Sequence, residues 1–224
     1  MSWSKLSKKI AKNFELISSG FHEAGHTIYA LLHLSKIDYV SIFEDKKVKR
    51  ILGFTSSTDL EDYDKIQDKE LLEHLVKIEI GMNYAGFVAE KTLFKTISGS
   101  QQIPFFIREG SWVDNKTARE LIIKYNLAPP GIKRAAFKNK IIKDVQKELY
   151  LHWDAVMIVA HGLFKYRKLS YQDLYNLLTK KSKNKKFWKD QFKQIDHYYD
   201  NYQSIDQNCL KNYAKSAIAD KSIK

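Results

Sequence analysis

A chain of 224 residues is long enough for one domain with a sizeable core, or for one domain and an appendage. Its 44% apolar and 29% charged residues are ordinary for a soluble globular protein, and only 9 Gly and 3 Pro argue against a turn-rich all-β fold. The net charge of +12 admits an anionic partner such as nucleic acid, but lysine dominates the basic count, and a lysine-rich solvated surface gives the same number.

A single cysteine, Cys209, cannot close an intramolecular disulfide, which fits a reducing compartment. The amino-terminal lysines (Lys5, Lys8, Lys9, Lys12) are not followed by an apolar run, so no secretory signal is expected. The longest apolar stretch, Ala155 to Ala160, is far too short to span a bilayer. A soluble, cytoplasmic protein is the expectation.

In chain order, a first helix is predicted from about Asn13 or Ser18 to His33, burying Phe21, Ile28, Leu31 and Leu32, with Ser18, Ser19 and Gly20 able to interrupt or cap it. This helix carries His22-Glu23-Ala24-Gly25-His26, one instance of H-E-x-x-H. Positions i and i+4 share a helix face one turn apart, so both imidazoles can reach one zinc ion. Glu23 falls beside the open coordination position, where it can take a proton from water.

A strand at Tyr39 to Phe43, a polar turn at Glu44 to Lys47 and a returning strand from Val48 to Thr55 predict a small β-hairpin beside that helix. A charged loop follows from Leu60 to Lys69. A helix is then predicted from about Asp68 to Phe94, with Gly81 and Gly86 allowing close helix contact at about 1 kcal/mol each relative to alanine. A loop from Ser98 to Gly110 contains Pro104, and a helix from Ser111 to about Tyr125 ends before Pro129, Pro130 and Gly131. One long helix from about Ala135 to Tyr166 and a short one from Tyr171 to Leu178 complete the expected domain, residues 1–178. Residues 179–224, rich in Lys, Tyr, Asn and Gln, read as a partly helical extension weakly tied to the rest. Within it, Lys180 to Lys193, interleaved with Phe187, Trp188 and Phe192, fits a solvated helix with an apolar face better than a dock for a polyanion. The fold class is therefore mainly α (α+β).

A catalytic zinc site needs a third protein ligand. Three residues and six residues after His26 stand Tyr29 and Leu32, which excludes the three-histidine arrangement with its glycine and histidine at those places. His33 is almost two turns beyond His26, too far along the axis to share the metal, and Tyr29 reads as core. Glu79 and Glu90 on the second helix remain candidates, as does Asp114, which also completes an S-x-x-D capping box with Ser111. Spacing leaves all three open.

The chain resembles the peptidase domain of the FtsH family of membrane-anchored, ATP-dependent zinc proteases. Phe21 to Ile28 (F-H-E-A-G-H-T-I) is similar to that family's A-Y-H-E-A-G-H-A-I, and Leu52 to Thr55 (L-G-F-T) to its L-G-Y-T. Ala85 to Phe94 (A-G-F-V-A-E-K-T-L-F) resembles G-G-R-A-A-E-E-L-I-F, with Ala85, Phe87 and Lys91 replacing a glycine, an arginine and a glutamate. Glu109 to Ala118 (E-G-S-W-V-D-N-K-T-A) resembles T-G-A-S-N-D-I-Q-R-A-T, and Val156 to Phe164 the family's closing helix. The blocks occur in the family's order over roughly Phe21 to Leu178. No G-x-x-x-x-G-K-[ST] loop accompanies them, so a stand-alone peptidase domain without the ATPase or membrane parts is expected.

The resemblance implies a helical zincin-like peptidase fold, His22, His26 and Asp114 as zinc ligands, and Glu23 as general base. Glu90 either orients a ligand or packs as a buried polar group. The expected function is a zinc metalloendopeptidase acting on peptides or unstructured protein segments. The alternative is an inactive binding or regulatory module that docks to an anionic partner through its basic tail.

Overall fold

The computed structural model describes residues 3–47, 50–57, 63–99 and 111–202. The first helix, α1 (Trp3–Leu32), is longer than the periodicity suggests. Ser18, Ser19 and Gly20 do not interrupt it, because each is used in packing: the Ser18 hydroxyl donates to Glu90, the Ser19 hydroxyl to the Ile51 carbonyl, and Gly20 lies against the backbone at Ala160. Ala24, Ile28 and Leu31 form its fully buried stripe.

Strands β1 (Ile37–Asp45) and β2 (Arg50–Ser57) form the expected antiparallel hairpin, with Val40 opposite Thr55 and Ile42 opposite Gly53. A third strand, β3 (Lys168–Ser170), pairs antiparallel with the other side of β1, so the sheet order is β2-β1-β3. Three residues are too few to show a strand period in sequence. Val40, Ile42, Ile51 and Leu169 point into the core, while Phe43, Leu52 and Phe54 face outward.

Helix α2 (Lys69–Ser98) starts where the Asp68 carboxylate accepts the N–H groups of Glu70 and Leu71. It runs past Phe94 to Ser98 and stops at Gly99, whose φ of 67° ends the helix in the left-handed region. It crosses α1 closely enough that a Cβ on Gly25 would stand 2.5 Å from the Ala85 carbonyl oxygen. Helices α3 (Trp112–Lys124) and α4 (Arg134–Leu151) follow and pack on α2.

The single long helix expected from Ala135 to Tyr166 is two. It breaks at His152, and α5 (Trp153–Tyr166) starts anew with Asp154 in its first turn. No Pro or Gly marks the break. The His152 ring is stacked on Phe187 with centroids 4.9 Å apart and meets Trp188 edge-on, so tertiary packing from the carboxyl-terminal helices occupies the joint. Helix α6 (Tyr171–Lys181) opens with a Ser170–Asp173 capping box.

Helix α7 (Lys185–Tyr202) corrects the expectation of a weakly tied extension. Trp188, Phe192 and Ile195 are buried in the same core as α1, the Gln191 amide donates to the Leu31 carbonyl at 2.7 Å, and the Tyr199 hydroxyl accepts the Lys36 N–H. The packed unit therefore continues past residue 178 to the end of α7. Trp188 and Phe192 face the core while the lysines around them are exposed, which is the arrangement of a solvated helix with an apolar face.

Pro104 and most of the loop expected up to Gly110, the strand start at Val48, the loop residues 58–62 and Cys209 lie outside the described residues. Among the described residues no helix is long and apolar enough to cross a membrane. The architecture is mainly α with one small antiparallel sheet.

Candidate metal centre

Two helices run antiparallel with matched stripes. Ser18, His22 and His26 lie one turn apart on α1, and Met82, Gly86 and Glu90 lie one turn apart on α2. His22 Nδ1 is 2.9 Å from Glu90 Oε2, and the Ser18 hydroxyl donates to Glu90 Oε1 at 2.5 Å. His26 Nδ1 is 2.6 Å from the Met82 carbonyl oxygen. A carbonyl only accepts, and an ionised carboxylate only accepts, so both Nδ1 atoms carry the proton and both Nε2 atoms turn a lone pair inward.

Those two lone pairs converge with a carboxylate from a third element. Asp114, in the first turn of α3, places Oδ2 3.0 Å from His22 Nε2 and 3.5 Å from His26 Nε2, and the two Nε2 atoms are 2.9 Å apart. Three acceptor atoms at these separations repel one another unless a cation or proton sits between them. His22, His26 and Asp114 each offer one ligand atom, all within 4.8 Å, and together could hold a metal ion. The donor set fits the task.

When a proton rather than a cation occupies the centre, the imidazole Nε2 carries it and donates to Asp114. Burial works against charging His22, yet its hydrogen bonds to Asp114 and Glu90 and the charges of Glu90 and Glu23 raise its pKa well above the ordinary imidazole value. Burial likewise opposes ionising Asp114, but hydrogen bonds from His22 and His26 and their charges hold its carboxyl well below the usual carboxylate range. The carboxylates of Asp114 and Glu90 thus favour a positive charge on His22.

Gly86 is the floor of this centre. A Cβ there would stand 2.5 Å from His26 Nε2 and 2.6 Å from His22 Nε2, so any side chain would occupy the space where the ligand atoms meet. Glu23, one residue on from His22, is 6% exposed and points to β2, where the Thr55 hydroxyl donates to its Oε2 at 2.7 Å.

Of the residues singled out in sequence, the structure brings together His22, His26 and Asp114, with Glu90 bonded to His22 and Glu23 alongside. Of the two glutamates weighed as third ligand, Glu90 bonds His22 on the Nδ1 side, and the Glu79 carboxylate accepts from Asn83. His33 pairs with Glu148 at 2.8 Å, and Tyr29 is core, its hydroxyl against Gly81. The Ser111–Asp114 capping box does not form: the Ser111 side chain makes no cap bond, and the Asn115 side chain donates to the Ser111 carbonyl instead. Sequence reasoning missed Ser18, Thr55 and Met82. Ser18 stands four residues before His22 on the same face, which is a usable signal; Met82 acts through its backbone and leaves none.

Comparison with protein-family models and with curated protein sequences returns no match to this chain.

Proposed function

We propose that the protein is a zinc-dependent metalloendopeptidase with His22, His26 and Asp114 as ligands and Glu23 as general base. The observation that carries the reading is the convergence of two inward Nε2 lone pairs and one carboxylate on a point beside a buried glutamate. Two imidazoles and a carboxylate suit zinc, and three ligands, the number found among the described residues, match the catalytic rather than the structural pattern. Donors about 2.0–2.1 Å from one zinc ion stand about 3.3 Å apart in a tetrahedron, and the separations of 2.9 to 3.5 Å straddle that value. The resemblance of the H-E-A-G-H, L-G-F-T and W-V-D-N segments to the FtsH peptidase domain points the same way.

Zinc held by His22, His26 and Asp114 would supply Lewis acidity for a peptide carbonyl and would lower the pKa of water toward neutrality. Glu23 takes the proton released as water attacks the carbonyl carbon and returns it to the departing amine nitrogen. Glu90 and the Met82 carbonyl keep His22 and His26 in the tautomer and orientation that ligation needs. Among the described strands β2 is at the edge of the sheet, and its Gly53 faces Glu23. An extended, unstructured peptide segment is the substrate form such an edge accepts.

Metal analysis together with cleavage of an unstructured protein tests the reading. Glu23→Gln is expected to keep zinc and lose at least about 10²-fold in rate, and Asp114→Ala to lose zinc. Undiminished proteolysis by Glu23→Gln would sink the hydrolase reading, and full zinc content in Asp114→Ala would move the third ligand elsewhere.

A further inference from the structure

We propose that Thr55 is a positioning residue for Glu23, and that strand β2 acts as a cradle for the general base; the inference rests on the peptidase reading above. Ile51, Gly53 and Thr55 alternate along β2 on the face turned to α1. Ser19 and Glu23 lie one helical turn apart on α1. The strand and the helix run in the same direction here, Ile51 to Thr55 beside Ser19 to Glu23. The Ser19 hydroxyl donates to the Ile51 carbonyl at 3.3 Å, and Thr55 Oγ1 stands 2.7 Å from Glu23 Oε2 and 3.5 Å from the Glu23 carbonyl oxygen.

Gly53 completes the cradle. A Cβ at this position would collide with Cγ and Oε1 of Glu23 and lie 2.6 Å from its Cδ. The carboxylate is thus walled by bare backbone on its Oε1 side and tied by a hydroxyl on its Oε2 side. The strand itself is fixed from behind, since Gly53 and Thr55 are in register with Ile42 and Val40 of β1. A glutamate has three side-chain torsions to order, and a hydroxyl bond to one oxygen with a wall at the other removes most of that freedom before substrate arrives.

A hydroxyl that merely satisfies a buried carboxylate would affect stability alone. A positioning hydroxyl affects the chemical step and acts only through Glu23. The experiment measures zinc content, kcat and KM on an unstructured peptide for wild type, Thr55→Val, Thr55→Ser, Glu23→Gln and the Thr55→Val/Glu23→Gln double variant. Thr55→Val is expected to bind zinc fully, keep its KM and lose kcat by about tenfold or more. Thr55→Ser restores the donor and is expected to recover most of that loss. In the Glu23→Gln background the Thr55 change should cost nothing further, because the group it acts on is already disabled. Thr55→Ala repeats the measurement with a smaller side chain should the valine variant fail to fold. A folded Thr55→Val or Thr55→Ala protein with wild-type kcat, or a full additive loss in the double variant, overturns the positioning role while an inactive Glu23→Gln keeps the peptidase reading. An active Glu23→Gln overturns both.

Discussion

Glu90 serves two partners with its two oxygens, His22 through Oε2 and Ser18 through Oε1, and it is 6% exposed. Replacing it by glutamine removes the charge and leaves one acceptor, so the hydrogen bond that orients His22 weakens and the imidazole loses basicity. Removing such a partner of a metal-ligating histidine typically costs about 10–100-fold in metal affinity. Glu90→Gln is therefore expected to weaken zinc binding by that factor in a chelator competition while leaving helical content unchanged; an unaltered affinity would reduce Glu90 to a packing group. H-E-A-G-H, by its spacing, made it legible that His22 and His26 share one face with Glu23 next to them. It left Glu79, Glu90 and Asp114 undecided, because separation along the chain says nothing about which helix lies opposite. Gly86 shows the same limit. In sequence it is a glycine that lets helices approach, and only the neighbouring Nε2 atoms reveal that its missing side chain is the room in which the ligands meet.

At the scale of elements, α7 carries the largest departure from expectation. Its run of lysines suggested an extension weakly tied to the rest, although Trp188, Phe192, Ile195 and Tyr199 repeat at three and four residues and mark one helix face. Trp188 is fully buried, and truncating a buried tryptophan to alanine removes a large transfer term and leaves a cavity. Trp188→Ala is expected to lower the unfolding free energy by about 3–5 kcal/mol, read from denaturant midpoints at constant slope. A loss under about 1 kcal/mol would mean that α7 is peripheral after all. The hairpin and most helices were legible because they run long enough to show a period. The third strand was too short, and the break at His152 coincides with packing against rings from α7, which no local signal carries.

Across the whole molecule, the candidate ligands join distant parts of the chain: His22 and Asp114 are 92 residues apart, on α1 and α3, with α2 holding both histidines from behind. Without metal, this centre makes stability depend on pH in two opposite senses. Asp114 has a depressed folded pKa, so its contribution is present above the ordinary carboxylate value of about 3.9 and is lost as pH falls through the folded one. His22 has a raised folded pKa, so its contribution is complete below the ordinary imidazole value of about 6.5 and is lost as pH rises through the folded one. The chelated protein should therefore show its highest Tm between about pH 4 and 6.5 and a decline above. Saturating zinc should remove the alkaline decline, because the metal takes the place of the proton. Identical profiles with and without chelator would contradict a metal at these residues. The matched stripes of α1 and α2 carry one more implication, for how this sequence can change over generations. Each residue of a helix turns its successor by about 100°. A one-residue insertion or deletion anywhere between Met82 and Glu90 would swing one end of that stripe off the histidines, however innocuous the residue gained or lost. Related chains should thus tolerate many replacements in this stretch while keeping its length.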